Sequence, residues 1–433
     1  MTVSCTRLAL WIAFGSGWAG ARTLPLSLSQ AMDLARDSGL AAQTADSRRL
    51  QAEDRSRQAL APMLPRLDLQ AYHMVRSYNL ASTGLYPSQY VPLFGNEDAR
   101  LAARWTLLDL SSLSHWKAAQ VSAQSATATH RAARDQAAFD AGLAWIDLAR
   151  ARALLRSRDS AAVLAKRLRS MAEEQSAAGS ATRLDVIRAR NQEVLTARAV
   201  SQARLAVETA RLNLRDRLGL SPEIVPEASD TLPLAADPSD TVLAAGDSRD
   251  RLPEVLAARS AAEAAALEAR AERRALLPTL GISGDYGLSG YRLNSAAEWT
   301  GSVAVTATWN LWEGGSRQQK LRIAAETGRQ AELALRARTL RADLDTRTTK
   351  AAVREGAIQV ECSSQAATLS DQELELAMER FRSGASGNAD VVQAQVEASN
   401  AHAAWVDAAG AFQAARLKLL YATGNLDRLE TKD

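Results

Sequence analysis

Two long spans without proline constrain the fold of this chain more than any other feature. The spans run from Ser111 to Ala178 and from Ser316 to Ser383, and each is 68 residues long. The only glycine in the first span is Gly142, and the only glycines in the second are Gly328 and Gly356. Such composition permits an uninterrupted α-helix. At about 1.5 Å per residue, each span predicts a helix of roughly 100 Å.

The apolar residues in the first span have a helical period and coiled-coil length. Aromatic residues make up only 5% of a chain that is 47% hydrophobic, so alanine supplies much of the apolar surface. Alanine at contact positions favours closely packed helices over a bulky globular core. The leucines and isoleucine that mark the period are Leu143, Ile146, Leu148, Leu154, Leu155, Leu164 and Leu168.

Both long spans end in the same way, with a glycine followed six residues later by Asp-Val. Gly179 and Asp185 form the first such break, and Gly384 and Asp390 form the second, 205 residues further along the chain. Glycine adopts the backbone conformations that end a helix, and an acidic residue stabilises the start of the next helix. The sequence therefore predicts two breaks of the same kind between helices.

The chain repeats itself in the order helix, proline, strand, loop, strand, long helix, break and helix. We predict a signal peptide at 1–21, a first repeat at 22–220, a linker or equatorial region at 221–250, a second repeat at 251–425 and a tail at 426–433. The segment 221–250 is assigned as a linker because it is rich in proline and aspartate. The matching segments are Ala59–Leu64 with Ala275–Leu280, Trp105–Asp109 with Trp309–Glu313, and Ala210–Leu214 with Ala415–Leu419.

Period-two alternation predicts four strands, at about 66–74, 100–110, 279–288 and 302–311. In the last of these, Val303 and Val305 alternate with Thr306 and Thr308, and tryptophan and tyrosine stand near the strand ends. This pattern is typical of a transmembrane β-strand. Alternation is weaker in the first pair, where we expect a long external loop from Val75 to Asp98. A soluble cap of two hairpins remains the alternative.

Four strands cannot close a barrel, and an open sheet in lipid leaves edge groups unpaired at several kcal/mol each. If these strands cross a membrane, several chains must share one barrel. Three chains would give twelve strands, an even number within the usual range. The same symmetry would bundle the long helices into a tube.

The first 21 residues have the pattern of an export signal. Arg7 gives a positive start, residues 8–18 are apolar, and Ala19-Gly20-Ala21 is a small-residue cleavage site. After cleavage only Cys362 would remain, so an internal disulfide is not expected. We therefore expect either a protein of the periplasm or extracellular space, or one that enters a membrane as strands.

No pattern in the sequence indicates catalysis, a cofactor or nucleic-acid binding. The four histidines are scattered without metal-ligand spacing, and no phosphate-binding loop is present. The net charge of +3 is too small to argue for nucleic acid. We expect a protein that is not an enzyme and needs no cofactor. The four histidines are His73, His115, His130 and His402.

The ordered combination of signal peptide, duplicated halves, proline-to-strand switches and paired Gly-to-Asp-Val breaks resembles the TolC-type outer-membrane efflux and secretion family. The resemblance extends from Leu26 to Gly424. It implies a mainly α-helical homotrimer, with a twelve-stranded outer-membrane β-barrel built from four strands per chain and continued by a long periplasmic α-helical barrel. It further implies an exit duct of an efflux or type I secretion system, joined through a periplasmic adaptor to an inner-membrane transporter of RND or ABC type.

The resemblance also implies that the two breaks are the turns of two helical hairpins at the periplasmic tips. Residues 384–389 would form the second turn, with Gly387 loosening it, and Asp390 would begin the returning helix as its N-cap.

The resemblance further implies which residues form a periplasmic gate. Three copies of Asp390 would form an acidic ring at the tunnel entrance, although a plain helix-capping role is the alternative. Gln393 stands where some members carry a second acid, so the ring would carry less charge. Phe381 stands at the position of an aromatic gate residue. In the first tip, Asp185 and Arg188 either pair within one helix or latch a neighbouring helix.

Small residues at the tips are candidate contacts for the adaptor, or simply turn formers. They are Gly179, Ser180, Ala181, Gly384, Ala385 and Ser386, the last at a position where some members have a basic residue that ties the gate shut. The strand-to-helix transitions are assigned to Pro62, Pro278, Gly314 and Gly315. The first repeat has Leu110-Ser111 in place of the double glycine, which predicts a stiffer joint.

Two other classes of protein remain open on the sequence. A soluble periplasmic coiled-coil scaffold would explain the helices but not the alternating strands. A periplasmic adaptor would also carry helical hairpins, but the small β-domain rich in glycine and valine that is expected of an adaptor is not found. The cargo is not specified by the sequence, although no His- or Met-rich tract favours metal ions.

Overall fold

The structure, a computed structural model, describes residues 22–79, 90–179, 181–235, 249–291, 297–383 and 385–426. The predicted signal peptide and most of the predicted tail therefore lie outside the described residues, as do Ser180 and Gly384.

Helices dominate the chain and occur in the same order in both halves. The first half contains β1 (Arg22–Leu26), α1 (Leu28–Ser38), α2 (Leu40–Gln58), β2 (Arg66–Asn79), β3 (Tyr90–Leu108), α3 (Leu110–Ala177) and α4 (Arg183–Leu218). After β4 (Ile224–Ala228), the second half contains α5 (Pro253–Arg274), β5 (Thr279–Gly290), β6 (Ala297–Thr308), α6 (Ser316–Arg382) and α7 (Asn388–Ala422).

The two long helices have the lengths that the proline-free spans predict. Helix α3 has 68 residues and α6 has 67. Each runs to within one residue of the predicted limits at both ends. Because nothing in either span removes a backbone donor or forces a kink, the i to i−4 hydrogen bonds continue until the glycine-containing turns.

The helices form one layer in which each long helix has a different partner at its two ends. Away from the sheet the order is α4, α3, α7, α6, and nearer the sheet it is α2, α3, α5, α6. The main core lies where the two repeats meet, and its fully buried side chains include Leu148, Leu214, Phe412 and Leu419. Helices α4 and α6 therefore form the outer edges of the layer over most of its length.

The strands form a single antiparallel sheet in the order β2, β3, β5, β6. The first two strands are longer than predicted, and the expected external loop from Val75 to Asp98 is wrong for most of its length. Ten residues, 80–89, separate these strands, and they lie outside the described part of the chain. Alternation fails to show these strand ends because polar residues pair across them, as His73 does with Glu97 at 3.5 Å.

The other two strands also differ from prediction at their ends. Strand β6 begins at Ala297 and ends at Thr308, so Trp309 and Leu311 lie beyond it. The indole nitrogen of Trp309 instead donates to the carbonyl oxygen of Leu276 at 3.0 Å. A similar bond from Trp105 to the carbonyl oxygen of Met63, at 3.1 Å, occurs in the first repeat. The tryptophans thus tie each strand pair to the end of the preceding helix.

The sheet has one apolar and one polar face. Leu69, Leu101 and Tyr286 are neighbours across three strands, and all three are exposed. On the opposite face, the Arg100 guanidinium forms ion pairs with Asp98 and Asp285, the latter at 2.7 Å. Asp98 is only 1% exposed. This charged cluster bridges β3 and β5, which is the seam between the two repeats.

Strand β4 shows that the predicted linker at 221–250 begins as part of the fold. It pairs in parallel with β1, which was not predicted as a strand. Tryptophan side chains on α3 and α7 donate hydrogen bonds to backbone carbonyl oxygens of β1 and of the predicted linker. Trp145 donates to Leu26 at 2.8 Å, and Trp405 donates to Leu234 at 3.2 Å. The described part of the segment, residues 221–235, therefore extends from the first repeat to α7 of the second.

Candidate functional site: the paired hairpin tips

The two helical hairpins bring their turns together at the end of the molecule that is farthest from the sheet. At the first tip, Gly179 has a φ of 79°, a conformation that favours glycine, and a Cβ there would meet no other atom within 4 Å. Helix α4 then begins at Arg183. The predicted role of Gly179 as a turn former agrees with this geometry.

A capping box starts the returning helix of the first tip. The Thr182 hydroxyl accepts from the backbone N–H of Asp185 at 3.3 Å, and the Asp185 carboxylate accepts from the backbone N–H of Thr182 at 3.0 Å. Asp185 is thus the third residue of the helix, and Thr182 is the N-cap. This reciprocal arrangement satisfies two backbone donors that a helix start leaves free.

The second tip starts its returning helix without such a side-chain cap. Helix α7 begins at Asn388, and its N-cap, Gly387, has a φ of −80° and no side chain to accept a bond. The prediction that Asp390 is the N-cap is therefore wrong. Asp390 is the third residue of α7 and is exposed. It lies in the first helical turn, where a negative charge interacts favourably with the helix dipole.

The pKa of Asp185 is lowered, chiefly because its carboxylate accepts a hydrogen bond from the Thr182 hydroxyl. The backbone N–H of Thr182 and the positive charge of Arg188 lower it further, against an opposing effect of burial. The predicted pair of Asp185 with Arg188 is present in one helix at 3.9 Å. Arg188 is half-exposed, so this pair adds at most a few tenths of a kcal/mol.

Acidification is expected to loosen the first tip. Because the pKa of Asp185 is lower folded than unfolded, its stabilising effect is complete above the unfolded value of about 3.9. It is lost as the pH falls through the folded value. Hydrogen exchange would measure protection factors for the first turn of α4 against pH. At neutral pH we expect the protection factors of Asp185→Asn to be lower than those of wild type, by an amount equivalent to about 1 kcal/mol. They should not fall further when the pH is lowered. An Asp185→Asn profile parallel to wild type would contradict this assignment.

Asn388, which the sequence analysis missed, joins the two tips. Its side-chain N–H group donates to the backbone carbonyl of Asp185 at 2.9 Å, and the residue is fully buried. A second amide, Gln175, donates to the carbonyl of Phe381 at 3.5 Å. Both bonds link one hairpin to the other. No sequence signal marks Asn388, because an asparagine at a helix start is common as a local cap.

Phe381 does not line an opening in this chain. Its side chain is 3% exposed and packs with Leu168, Leu374 and Val391 in a small core just above the tips. The assignment of Phe381 to the position of an aromatic gate residue stays a prediction. Phe381 lies on the same helical face of α6 as Leu374, seven residues earlier, and that face packs inward.

The remaining tip residues occupy different environments. Gln393 is exposed and donates to Glu397 on its own helix at 2.5 Å. Ala385 is exposed, whereas Ala181 is half-buried. The Ser386 hydroxyl is buried, and among the described residues it has no hydrogen-bond partner. Ser180 and Gly384, two of the predicted contact residues, lie outside the described part of the chain.

The predicted strand-to-helix transitions use different chemistry in the two repeats. Gly314 and Gly315 have φ values of 60° and 82°, and Gly315 is the residue before α6. In the first repeat, the Asp109 carboxylate instead accepts from the backbone N–H groups of Ser111 and Ser112, at 2.9 and 3.1 Å. A side-chain cap replaces the double glycine there, and the stiffer joint stays a prediction.

The prolines stand at the opposite joints, where helices give way to strands. Pro62 lies in a short 3-10 helix, Ala61–Met63, ahead of β2. Pro278 immediately precedes β5. Because proline cannot continue a helix, both positions mark the change from helix to strand.

Two other kinds of site are absent from the described residues. No described helix is long and apolar enough to cross a membrane. In the same part of the chain, no group of three His, Cys, Asp or Glu side chains could hold a metal ion.

Part of the chain is similar to a known family. Residues 245–425, fewer than half of the chain, match the family model described as outer membrane efflux protein. The matched segment includes β5, β6, the long helix α6 and the second tip. A search of curated proteins found no significant sequence match.

The fold as a whole is that of solved outer-membrane channels. CmeC of Campylobacter jejuni superposes with a TM-score of 0.79 at 16% identity, covering 92% of this chain and 86% of CmeC. VceC of Vibrio cholerae superposes with a TM-score of 0.80 at 20% identity, covering 92% of this chain and 96% of VceC. The open state of MtrE from Neisseria gonorrhoeae superposes with a TM-score of 0.71 at 20% identity, covering 95% of this chain and 94% of MtrE. At these identities the likeness establishes the fold.

Proposed function

We propose that this protein is the outer-membrane exit duct of a tripartite efflux or type I secretion system, active as a homotrimer. The observation that carries the proposal is an open sheet with an apolar outer face. Strands β2 and β6 are its edges, and Val303 and Val305 on β6 are 80% and 66% exposed. Such a sheet is stable in lipid only if its edges pair with those of other chains.

The edges of the helical layer support the same assembly. Exposed apolar residues follow α4 and α6 at seven-residue intervals, a spacing typical of helices that pack as coiled coils. Three copies would join the α6 edge of one chain to the α4 edge of the next and close a tube. The pairs on α4 are Ile187 with Val194 and Leu205 with Leu212; those on α6 are Leu333 with Leu340 and Leu369 with Leu376.

The tips are proposed to dock a periplasmic adaptor that connects the duct to an RND or ABC transporter. Gly179 is exposed and Ala181 and Ala385 are small, so the tip surface leaves room for the end of a partner's helical hairpin. The energy for export would come from the inner-membrane partner, and the duct itself would be passive. Gly384 and Ser180 remain candidate contacts by their sequence positions.

The oligomer mass of the detergent-extracted protein tests the proposal. Light scattering with the detergent contribution subtracted should give three times the mass of the processed chain. A monomer, or a protein released from membranes without detergent, would leave the four strands unable to span a bilayer. That outcome would favour the alternative, a soluble periplasmic coiled-coil scaffold or adaptor.

Asp390 is proposed to contribute to an acidic ring at the entrance of the tunnel. It is exposed in the first turn of α7, so its carboxylate is available to the aqueous path. Three such charges near the axis would attract cations. We expect Asp390→Ala to lower cation selectivity in planar bilayers. Glu379→Ala, which removes another exposed acid from the same hairpin, should change selectivity much less. Equal effects of both substitutions would remove Asp390 from the entrance.

A further inference from the structure

A cavity of about 360 Å³ lies between the two repeats, at the level of the equatorial segment, and takes no part in the proposed duct. We call it the inter-repeat cavity. Helices α3, α5, α6 and the end of α7 form its walls. At about 30 Å³ per water molecule, it has room for roughly twelve groups of that size. Its size lies within the range of small-molecule sites.

The floor of the inter-repeat cavity is apolar. Phe139, Val255 and Leu426 line it and are all buried. Phe139 stacks on Tyr421, with ring centroids 4.7 Å apart. Burial is the largest cause that raises the pKa of the Tyr421 phenol, and Glu254 and Asp135 raise it further. The phenol is therefore a fixed donor and binds the Glu254 carboxylate at 3.1 Å.

Four of the six charged residues that line the cavity form two ion pairs with one another, and the other two are Asp135 and Lys418. Arg338 pairs with the same Glu254 at 3.0 Å, on the carboxylate oxygen that Tyr421 leaves free. Arg341 pairs with Asp345 at 3.3 Å. Lys418 is exposed at the rim and has no ion pair within the described residues. A ligand in this cavity thus meets an apolar floor and one uncommitted cation.

We propose that the inter-repeat cavity binds a small amphipathic monoanion, with an apolar ring or chain on the floor and a carboxylate or sulfonate on the Lys418 ammonium. An uncharged analogue would fill the floor but would leave Lys418 without a partner. A charge-assisted hydrogen bond is worth enough to favour the anion by about tenfold in Kd. The inference does not depend on export, because the site belongs to a single chain.

Equilibrium dialysis of the intact protein in non-ionic detergent tests this site, with 2-naphthoate as the anionic probe and 2-naphthamide as its neutral match. Wild type should bind naphthoate about tenfold more tightly than naphthamide. Lys418→Gln should remove that preference and leave naphthamide binding unchanged. Lys166→Gln, which removes an exposed lysine of α3 outside the cavity, should behave as wild type.

Substitutions that fill the cavity provide a second, independent test of ligand binding. Ala422 lines the wall on α7, and Ala422→Leu should abolish the binding of both probes. If that variant fails to assemble, Ala342→Leu fills the cavity from α6 instead. Failure of wild type to bind naphthoate would overturn the proposal. So would a preference for naphthoate that survives Lys418→Gln, or binding that survives an assembled cavity-filling variant.

Discussion

An Arg100→Leu protein is expected to lose most of the proposed trimeric barrel. Arg100 pairs with Asp98 and Asp285 across the seam between β3 and β5, and Asp98 is 1% exposed. Removing the cation leaves a buried carboxylate uncompensated, which costs about 3–5 kcal/mol. The temperature at which the oligomer dissociates, followed by gel mobility of heated samples, should fall sharply.

A neighbouring arginine provides the matched control. Arg104 lies on the same strand and the same face, is exposed, and has no ion pair among the described residues. Arg104→Leu should therefore dissociate close to the wild-type temperature. Adding Asp98→Asn and Asp285→Asn to Arg100→Leu should recover part of the loss, because the uncompensated charges are then gone. Equal losses in Arg100→Leu and Arg104→Leu would show that the cluster does not stabilise the seam.

A single methyl group at Gly287 is expected to separate the same two strands. Gly287 lies directly opposite Arg100, and a Cβ there would be 2.2 Å from the Ala99 carbonyl oxygen and 2.3 Å from the Arg100 Cα. Both contacts are with backbone, which cannot rotate away. Gly287→Ala should therefore cost about 3 kcal/mol or more and reduce the yield of assembled protein.

Gly281→Ala is the control for this substitution. It adds the same methyl group to the same strand, but the nearest atom, the Trp105 carbonyl oxygen, is 3.5 Å away, an ordinary contact distance. Dissociation temperature and yield should remain near wild type in this variant. The same yield and dissociation temperature for Gly287→Ala and Gly281→Ala would mean that β3 and β5 do not approach as closely as the structure has them.

The long helices and their turns were predictable because they depend on local chemistry. The absence of proline permits α3 and α6 to run for 68 and 67 residues, and Gly179 permits the first turn. The duplication of the chain shows the order of elements directly. The strand ends were less predictable, since pairing with a neighbouring strand carries β2 to Asn79 without alternation in its sequence.

The candidate site was located by sequence, but its contacts were not. The repeated Gly-to-Asp-Val breaks placed Asp185 and Asp390 at the tips, although Asp390 proved to be the third residue of its helix and not its N-cap. The burial of Phe381 and the bond from Asn388 to the Asp185 carbonyl depend on how the two hairpins lie against each other. Asn388 and Asp185 are 203 positions apart in the sequence, and no local pattern relates them.

The sequence by itself therefore determined the elements of this protein: two repeats, each with a strand pair, a very long helix and a glycine-containing turn. Backbone sterics and hydrogen bonding within a few residues set those features. Only the tertiary structure decided which repeat contacts which, and so produced the Arg100 seam, the joined tips and the inter-repeat cavity. Those features arise from side chains about 200 residues apart, which meet only when the two repeats share one sheet and one layer of helices.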